Sequence, residues 1–240
     1  MTLAGRTALV TGGSRGIGRA IVERLAADGA AVVFSYKDSK DAAEQLARRV
    51  GHGAVAVRAD QEDLASIGAL FAPVAGGLDI LVNNAAVNPR VPIEDMTPEA
   101  FDRVMTVNAK FPLLAIQRAA SVLRDGGRII NISTLSTVLR APGHVLYSAS
   151  KAALEQITAV AAQEFGGRGI TVNAISPGAT DTDLFRLTNP PDAEARTAAL
   201  TALQRLGRPG DIADVAAFLA GPDSRWITGQ VLRASGGLYL

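Results

Sequence analysis

Tyr147 and Lys151 stand four positions apart in the run Tyr147-Ser148-Ala149-Ser150-Lys151, and on a helix that spacing puts both side chains on one face. A phenol beside an ammonium can protonate a carbonyl oxygen, because the positive neighbour favours the phenolate and draws the phenol's pKa down from its ordinary value of about 10. Two fixed residues are a weak signature alone, and a half-buried Tyr near a solvated Lys is the ordinary alternative. The run Thr11-Gly12-Gly13-Ser14-Arg15-Gly16-Ile17-Gly18, set between a predicted strand and a predicted helix, gives the pair something to act beside. Glycine allows positive φ and close backbone approach. A helix starting at 16–18 offers unpaired amides and a positive dipole end to a pyrophosphate, so Gly12, Ser14, Arg15, Gly16, Ile17 and Gly18 are candidate cofactor-binding positions. The spacing G-x-x-x-G-x-G departs from the G-x-G-x-x-G of longer dinucleotide folds, and a tight turn without a ligand is the competing reading.

The second predicted strand ends at Ser35-Tyr36-Lys37, where an NAD-selective site would set an acid against the ribose 2′-hydroxyl. No carboxylate occupies 35–37. Lys37 and Arg15 could approach a 2′-phosphate from two sides, which favours NADP over NAD; Asp38 dissents unless its loop turns it outward. His52 and His144 are far apart and neither has an acidic cluster beside it, so no metal site is expected.

Elements must exist to carry these residues, and composition allows them. The chain has 240 residues, 48% hydrophobic and 20% charged, with a formal net charge of +1. That suits one α/β domain over 1–240 with a substantial core. Near-balanced charge gives no reason to expect nucleic acid or an acidic membrane as partner. There is no cysteine, so disulfides and thiolate chemistry are out and a cytoplasmic setting is allowed. Residues 1–10 are too poor in apolar side chains for a signal-peptide core, and no later run approaches membrane-spanning length.

Short β-branched runs at 7–11, 30–36, 54–59, 80–83, 128–133, 171–175 and 230–233 alternate with periodic Ala- and Leu-rich segments at 17–28, 40–50, 62–75, 98–123, 146–166 and 210–220. The alternation predicts repeated βα units in a Rossmann-like, doubly wound parallel sheet of about seven strands with helices on both faces. The stretch 179–208, with Asn189-Pro190-Pro191 in its middle, breaks the alternation and reads as a mobile substrate-loop excursion. Segment 146–166 carries Ala149, Ala152, Leu154, Ile157, Val160 and Ala161 on several faces. One sheet face cannot cover all of it, so its second cover is either another subunit of a homo-oligomer, dimer or tetramer, meeting through 98–123 and 146–166, or segment 98–123 of the same chain.

Further motifs follow in order: Asp60 after the third strand, Asn83-Asn84-Ala85-Ala86 after the fourth, Asn108 in the long helix, Ser133-Thr134 after the fifth, then Tyr147 and Lys151, Pro177-Gly178 with Thr182, and Gly229 with Gly236-Gly237. Together with the glycine-rich run, this set resembles the short-chain dehydrogenases/reductases over essentially the whole chain, nearest to the 3-oxoacyl-carrier-protein reductase branch. The resemblance implies that Tyr147 is the proton donor, that Lys151 lowers its pKa and holds the nicotinamide ribose, and that Asn108 supports a proton-relaying water. It implies Asp60, with Gln61, at the adenine, Asn83 and Ala85 beside the adenosine ribose, and Pro177, Gly178, Thr180 and Thr182 at the nicotinamide carboxamide. Asn108 could instead cap helix backbone, and Asp60 could be an ordinary helix N-cap.

Two departures limit the carry-over. Ala86 stands where the family's fourth motif usually ends in Gly, and its methyl narrows the path near the cofactor. The family's carbonyl-binding Ser usually precedes the Tyr by thirteen residues, which reaches Thr134 here, with Ser133 one earlier; alternation along a strand keeps both from facing one site, and Thr134 is favoured. His144, Leu184 and Phe185, with Leu139, Val145, Leu146 and Leu187, are candidate substrate neighbours, suiting a hydrophobic ketone, a 3-oxoacyl group or a cyclic carbonyl; His144 could equally be a plain loop residue. A carrier-protein partner would need a basic dock, for which Arg124, Arg128 and Arg168 are available although Asp125 interrupts them. The expected activity is NADP(H)-dependent interconversion of a carbonyl and a secondary alcohol; a non-catalytic NADP-binding redox sensor or scaffold of the same fold is the alternative.

Overall fold

A computed structural model describes residues 2–139 and 141–238. Its centre is one seven-stranded, all-parallel sheet built from β1 (Thr7–Val10), β2 (Ala31–Tyr36), β3 (Val55–Arg58), β4 (Leu78–Asn83), β5 (Leu123–Ile132), β6 (Thr171–Pro177) and β7 (Val231–Ala234), in the order β3-β2-β1-β4-β5-β6-β7. Central strands are apolar on both sides, as expected for a sheet covered twice: β4 and β6 are buried along their whole length. On one face lie α1 (Gly16–Ala27), α2 (Lys40–Val50) and α9 (Pro209–Ala220), which bury Ile21, Leu25, Leu46, Ile212 and Ala216 against Val10, Phe34 and Ile80. On the other lie α3 (Ser66–Phe71), α4 (Pro98–Met105), α5 (Phe111–Ala119) and α6 (Val145–Phe165); Leu70, Phe111, Ile116 and Ala161 pack there against Leu9, Leu81 and Ile129. Chain order reverses between β1 and β4, so the strands' carboxyl ends open a crevice at that switch point.

Three segments differ from the sequence reading. The predicted helix at 98–123 is interrupted: a π-helical turn over Thr106–Lys110 separates α4 from α5, with the Phe111 N–H donating to the Thr106 carbonyl. Pro112 is the physical reason, since it has no N–H to give the Asn108 carbonyl, and the ladder shifts register around it. The predicted end of that helix is already strand: Leu123 pairs with Leu78 and Arg128 with Ile80, so residues 124–127 bulge out where Arg-Asp-Gly-Gly reads as a turn. The third helix, expected over 62–75, shortens to Ser66–Phe71 with a 3₁₀ turn at Ala72–Val74, because Pro73 cannot continue it.

The excursion at 179–208 contains two short helices, α7 (Asp183–Thr188) and α8 (Ala193–Leu200). Its two ends are pinned together by the Gly207 N–H on the Ala179 carbonyl at 2.9 Å and the Asp181 N–H on the Gly207 carbonyl at 2.8 Å. Helix α6 receives its cover partly from within the chain, packing on α4 and the π turn. Its outer side keeps Val145 and Val160 exposed, at 37% and 48%, alongside Leu113 of α5 at 46%.

Candidate active site

The strands β1 to β6 deliver their carboxyl ends to one cleft of about 730 Å³. Its floor at one end is the glycine turn. Gly12 has φ of +65°, and a side-chain carbon there would come within 3.0 Å of Ala85; one at Gly18 would lie 2.2 Å from the Gly12 carbonyl oxygen, so α1 can approach β1 only through glycine. Ser35 lies underneath and accepts the Gly12 N–H at 2.9 Å, while Gln61 donates to the same hydroxyl at 3.4 Å. No side chain caps the start of α1 and no acid sits in its first turn, so its leading N–H groups and dipole face the cleft uncompensated. That is the donor set a pyrophosphate needs, and the residues present fit a dinucleotide.

Gly12, Ser14, Arg15, Gly16, Ile17, Gly18, Ser35, Tyr36, Lys37, Asp60, Gln61, Ala85, Pro177, Gly178, Thr180 and Thr182 all line the cleft. At the rim Lys37 is held by Asp60 at 3.0 Å and Glu62 at 2.9 Å, and Glu62 also accepts from Arg103 at 3.0 Å. These hydrogen bonds raise the lysine's pKa and lower that of Glu62. Asp60 is not a helix N-cap: its carboxylate closes a tight turn by accepting the Glu62 N–H at 3.0 Å, and α3 begins only at Ser66.

Two of the residues expected at the cofactor or the proton relay do not line the cleft. Asn83 is buried on the sheet face and donates to Asn131 at 2.9 Å, Asn131 in turn donating to Thr158 of α6 at 2.8 Å. Strand alternation turns Asn83 toward α6 and leaves the next residue to reach the glycine turn. Asn84, which the sequence reading did not single out, donates to the carbonyls of Thr11 and Gly12 at 2.9 and 3.1 Å. Asn108 is fully buried in the π turn; its amide accepts the Val87 N–H at 2.9 Å and donates to the Val87 carbonyl at 2.8 Å and to Ser150 at 3.0 Å. Its side chain braces the 87 loop, both amide hydrogens being spent on Val87 and Ser150.

At the reacting end, α6 presents Tyr147 and Lys151, and the chain leaving β5 presents Ser133 and Thr134. Lys151 is buried, donates to the Ile132 carbonyl at 2.7 Å, and stands 5.9 Å from the Tyr147 ring centre. Burial draws it down to about 7, opposed by the Glu155 carboxylate. Burial also pushes the Tyr147 phenol up to about 12, opposed by a hydrogen bond with the Thr134 hydroxyl. The phenol is thus raised where Lys151 was expected to lower it, desolvation being the largest influence on each group. The two candidate hydroxyls part company. Thr134 meets Tyr147, whereas Ser133 donates to Glu155 at 2.6 Å.

His144 precedes α6, is buried, and lies edge-on to Tyr147 with ring centres 6.5 Å apart. Arg90 donates to its Nε2 at 2.7 Å; burial first, and the guanidinium second, lower its pKa, so the imidazole is neutral at pH 7. Arg90 lines the same cleft and gave no motif in the sequence by which to find it. The α7–α8 flap supplies Leu184, Phe185 and Leu187, and Leu139 faces them; Val145 points to solvent and Leu146 into the core, so neither lines the cleft. Arg124 pairs with Asp79 at 2.7 Å, Arg168 with Asp125 at 2.8 Å, and Arg128 donates to the carbonyls of Gly126 and Gly127. Arg124 and Arg128 belong to β5 and Arg168 to the turn before β6, and none of the three lines the cleft, so they form no dock beside it. Among the described residues no group of acids and histidines could hold a metal, and no helix is long and apolar enough to cross a membrane.

The family model for enoyl-(acyl carrier protein) reductase matches residues 12–239. An uncharacterized oxidoreductase of Methylorubrum extorquens is 43% identical over 98% of both chains, and a hydroxynaphthalene reductase-like protein of Metarhizium brunneum is 38% identical over 98% of this chain and 96% of its own. The solved structure of the angucycline C-6 ketoreductase LanV with bound NADP superposes with a TM-score of 0.93 at 44% identity, covering 99% of this chain and 96% of that one. A Tyr and a Lys one turn apart beside a glycine-lined helix start, with a fold shared with that solved structure and a sequence matched to these relatives from end to end, place the chain in the short-chain dehydrogenase/reductase family of enzymes.

Proposed function

We propose that the protein is an NADP(H)-dependent ketoreductase acting on a hydrophobic, ring-bearing ketone. The observation that carries this reading is the convergence of Tyr147, Thr134 and Lys151 on one cleft that Leu139, Leu184, Phe185 and Leu187 also line. The named substrates of two similar proteins, an angucycline and a hydroxynaphthalene, support a flat, apolar guest. Arg15 and Lys37 at the rim suit a 2′-phosphate, and the glycine turn with the α1 start suits the pyrophosphate. Bound NADPH supplies the hydride that the carbonyl carbon takes up.

The chain's own residues handle the oxygen. The Tyr147 hydroxyl, protonated at neutral pH with its pKa at about 12, gives its proton to the developing alkoxide, so that C=O becomes CH–OH. The Thr134 hydroxyl donates a hydrogen bond to the same oxygen, and Lys151 in its charged form stabilises the phenolate left on Tyr147. Each contribution grows as negative charge appears and is small in the ground state. Asn108 acts by holding the 87 loop and Ser150, which donates to the Tyr147 carbonyl at 2.8 Å. Arg90 and His144 face the substrate beside Tyr147.

The test is a panel of cyclic aryl ketones such as 1-tetralone, linear 3-oxoacyl thioesters and simple ketones, each with NADPH and NADH. Turnover of the cyclic members with NADPH preferred is the expected result. Protection of the fold by NADPH without turnover anywhere would favour a binding protein instead. The exposed apolar side of α5 and α6 supports a homo-oligomer, and light scattering reads whether it is a dimer or a tetramer. An absence of cysteine suits a reducing cytoplasm.

A further inference from the structure

We infer that Glu155 is a positioning residue: its carboxylate clamps the turn that carries Thr134 onto the helix that carries Tyr147 and Lys151. This rests on the ketoreductase reading for its kinetic consequence and on the hydrogen bonds alone for its structural one.

One oxygen of Glu155 accepts from Ser133 at 2.6 Å and from Thr137 at 3.0 Å. Those two hydroxyls flank Thr134 in sequence. The turn between them is also closed on itself, since the Ser136 N–H donates to the Thr134 hydroxyl at 3.2 Å and the one hydrogen of the Thr137 hydroxyl is shared between Glu155 and the Thr134 carbonyl, 3.1 Å away. A second tie lies just before it, where Lys151 donates to the Ile132 carbonyl at 2.7 Å. Lys151 and Glu155 are one turn apart on α6, so two successive rungs of that helix hold the chain on either side of Thr134.

The geometry needs such a device. Thr134 is the second residue past the end of β5, and the last main-chain tie to the sheet is the Ser133 N–H on the Ile175 carbonyl at 2.7 Å. Without a tie, the distance between its hydroxyl and the phenol would be set by a free loop, and a reacting group displaced by about 1 Å can lose on the order of a hundredfold in rate. A carboxylate is suited to the task because one oxygen accepts two hydroxyls, and bonds to an ionised acceptor are stronger than neutral ones. The same charge lies beside the buried lysine and favours its ammonium form. Ser133 thereby has an assignment that the strand alternation alone did not provide.

The test compares Glu155→Ala, Glu155→Gln and Ser133→Ala with the wild type by steady-state kinetics, NADPH binding by fluorescence, and hydrogen exchange of the amides of 134–137. Glu155→Ala is expected to lower kcat by about ten- to a hundredfold, with the NADPH Kd changed less than about twofold and the turn's exchange accelerated. Glu155→Gln, whose amide oxygen still accepts both hydroxyls, should recover most of kcat. Ser133→Ala, losing one of two arms, should fall between wild type and Glu155→Ala, and stands in if Glu155→Ala does not fold. Unchanged kcat and exchange in Glu155→Ala, or in Ser133→Ala if that is the variant available, would overturn the clamp. Failure of Glu155→Gln to recover any activity, or a loss confined to NADPH binding, would do the same. If the wild type itself turns over no ketone, the ketoreductase reading fails, and the exchange data alone decide whether the clamp stands.

Discussion

The two ends of the sheet bury charge in opposite ways. At the amino end Asp79 is buried yet answered from three sides, by Arg6 at 2.9 Å, Arg124 at 2.7 Å and the Thr7 N–H at 2.8 Å. At the carboxyl end Lys151 is equally buried but meets a neutral carbonyl, and its nearest countercharge is spent on Ser133 and Thr137. The first arrangement satisfies its charge at once, which offsets the cost of taking the carboxylate out of water. The second leaves an ammonium pulled down to about 7 and a phenol pushed up to about 12. Groups held away from their ordinary protonation in a cleft are the mark of a working site.

Mutation separates the ends most sharply at the phenol. Tyr147→Phe should lower kcat by about a thousandfold, within the range for a lost general acid, while NADPH still protects the protein from heat. Retained turnover would erase the contrast.

The pH dependence of stability reads the cleft end directly. Lys151 is depressed to about 7 in the fold from an ordinary 10.5, so between those values the unfolded chain binds more protons and stability rises with pH, by up to about 1.4 kcal/mol per pH unit from this one group. Tyr147 works the other way: with its pKa raised from 10.0 to about 12, the unfolded chain loses its proton first and stability falls above pH 10. Urea midpoints measured from pH 6 to 11 should therefore climb and then turn down, and Lys151→Met should flatten the climb. A Lys151→Met profile that matches the wild type would show the lysine is not strained.

The smallest effect belongs to the satisfied end. Asp79→Asn removes charge-assisted hydrogen bonds to half-exposed arginines and should cost about 2 kcal/mol of stability, with kcat unchanged. A fall in kcat would mean the two ends are coupled through β4.

The amino-acid pattern disclosed the sheet because central strands covered on both faces must be apolar throughout, and the runs at 80–83 and 171–175 allow no other reading. It disclosed the glycine turn and Tyr147 with Lys151 because their spacing is local. Side-chain direction just past a strand was harder to read. Asn83 and Asn84 are the same residue type on opposite sides of the chain, and only the register with Asn131 tells them apart. Arg90 and Glu155 owe their places to partners more than fifty and twenty positions away respectively, a separation no short motif records. The break at 106–110 was visible in principle, since Pro112 forbids a regular ladder, but a proline early in a new helix and one that deforms an old helix look alike in sequence.

The pinned base of the α7–α8 flap has a practical consequence. Because Ala179, Asp181 and Gly207 are joined through main-chain atoms, the stretch between them is a cassette whose anchoring does not depend on its own side chains. Related proteins could exchange that cassette and carry guest preference with it, leaving the catalytic scaffold untouched.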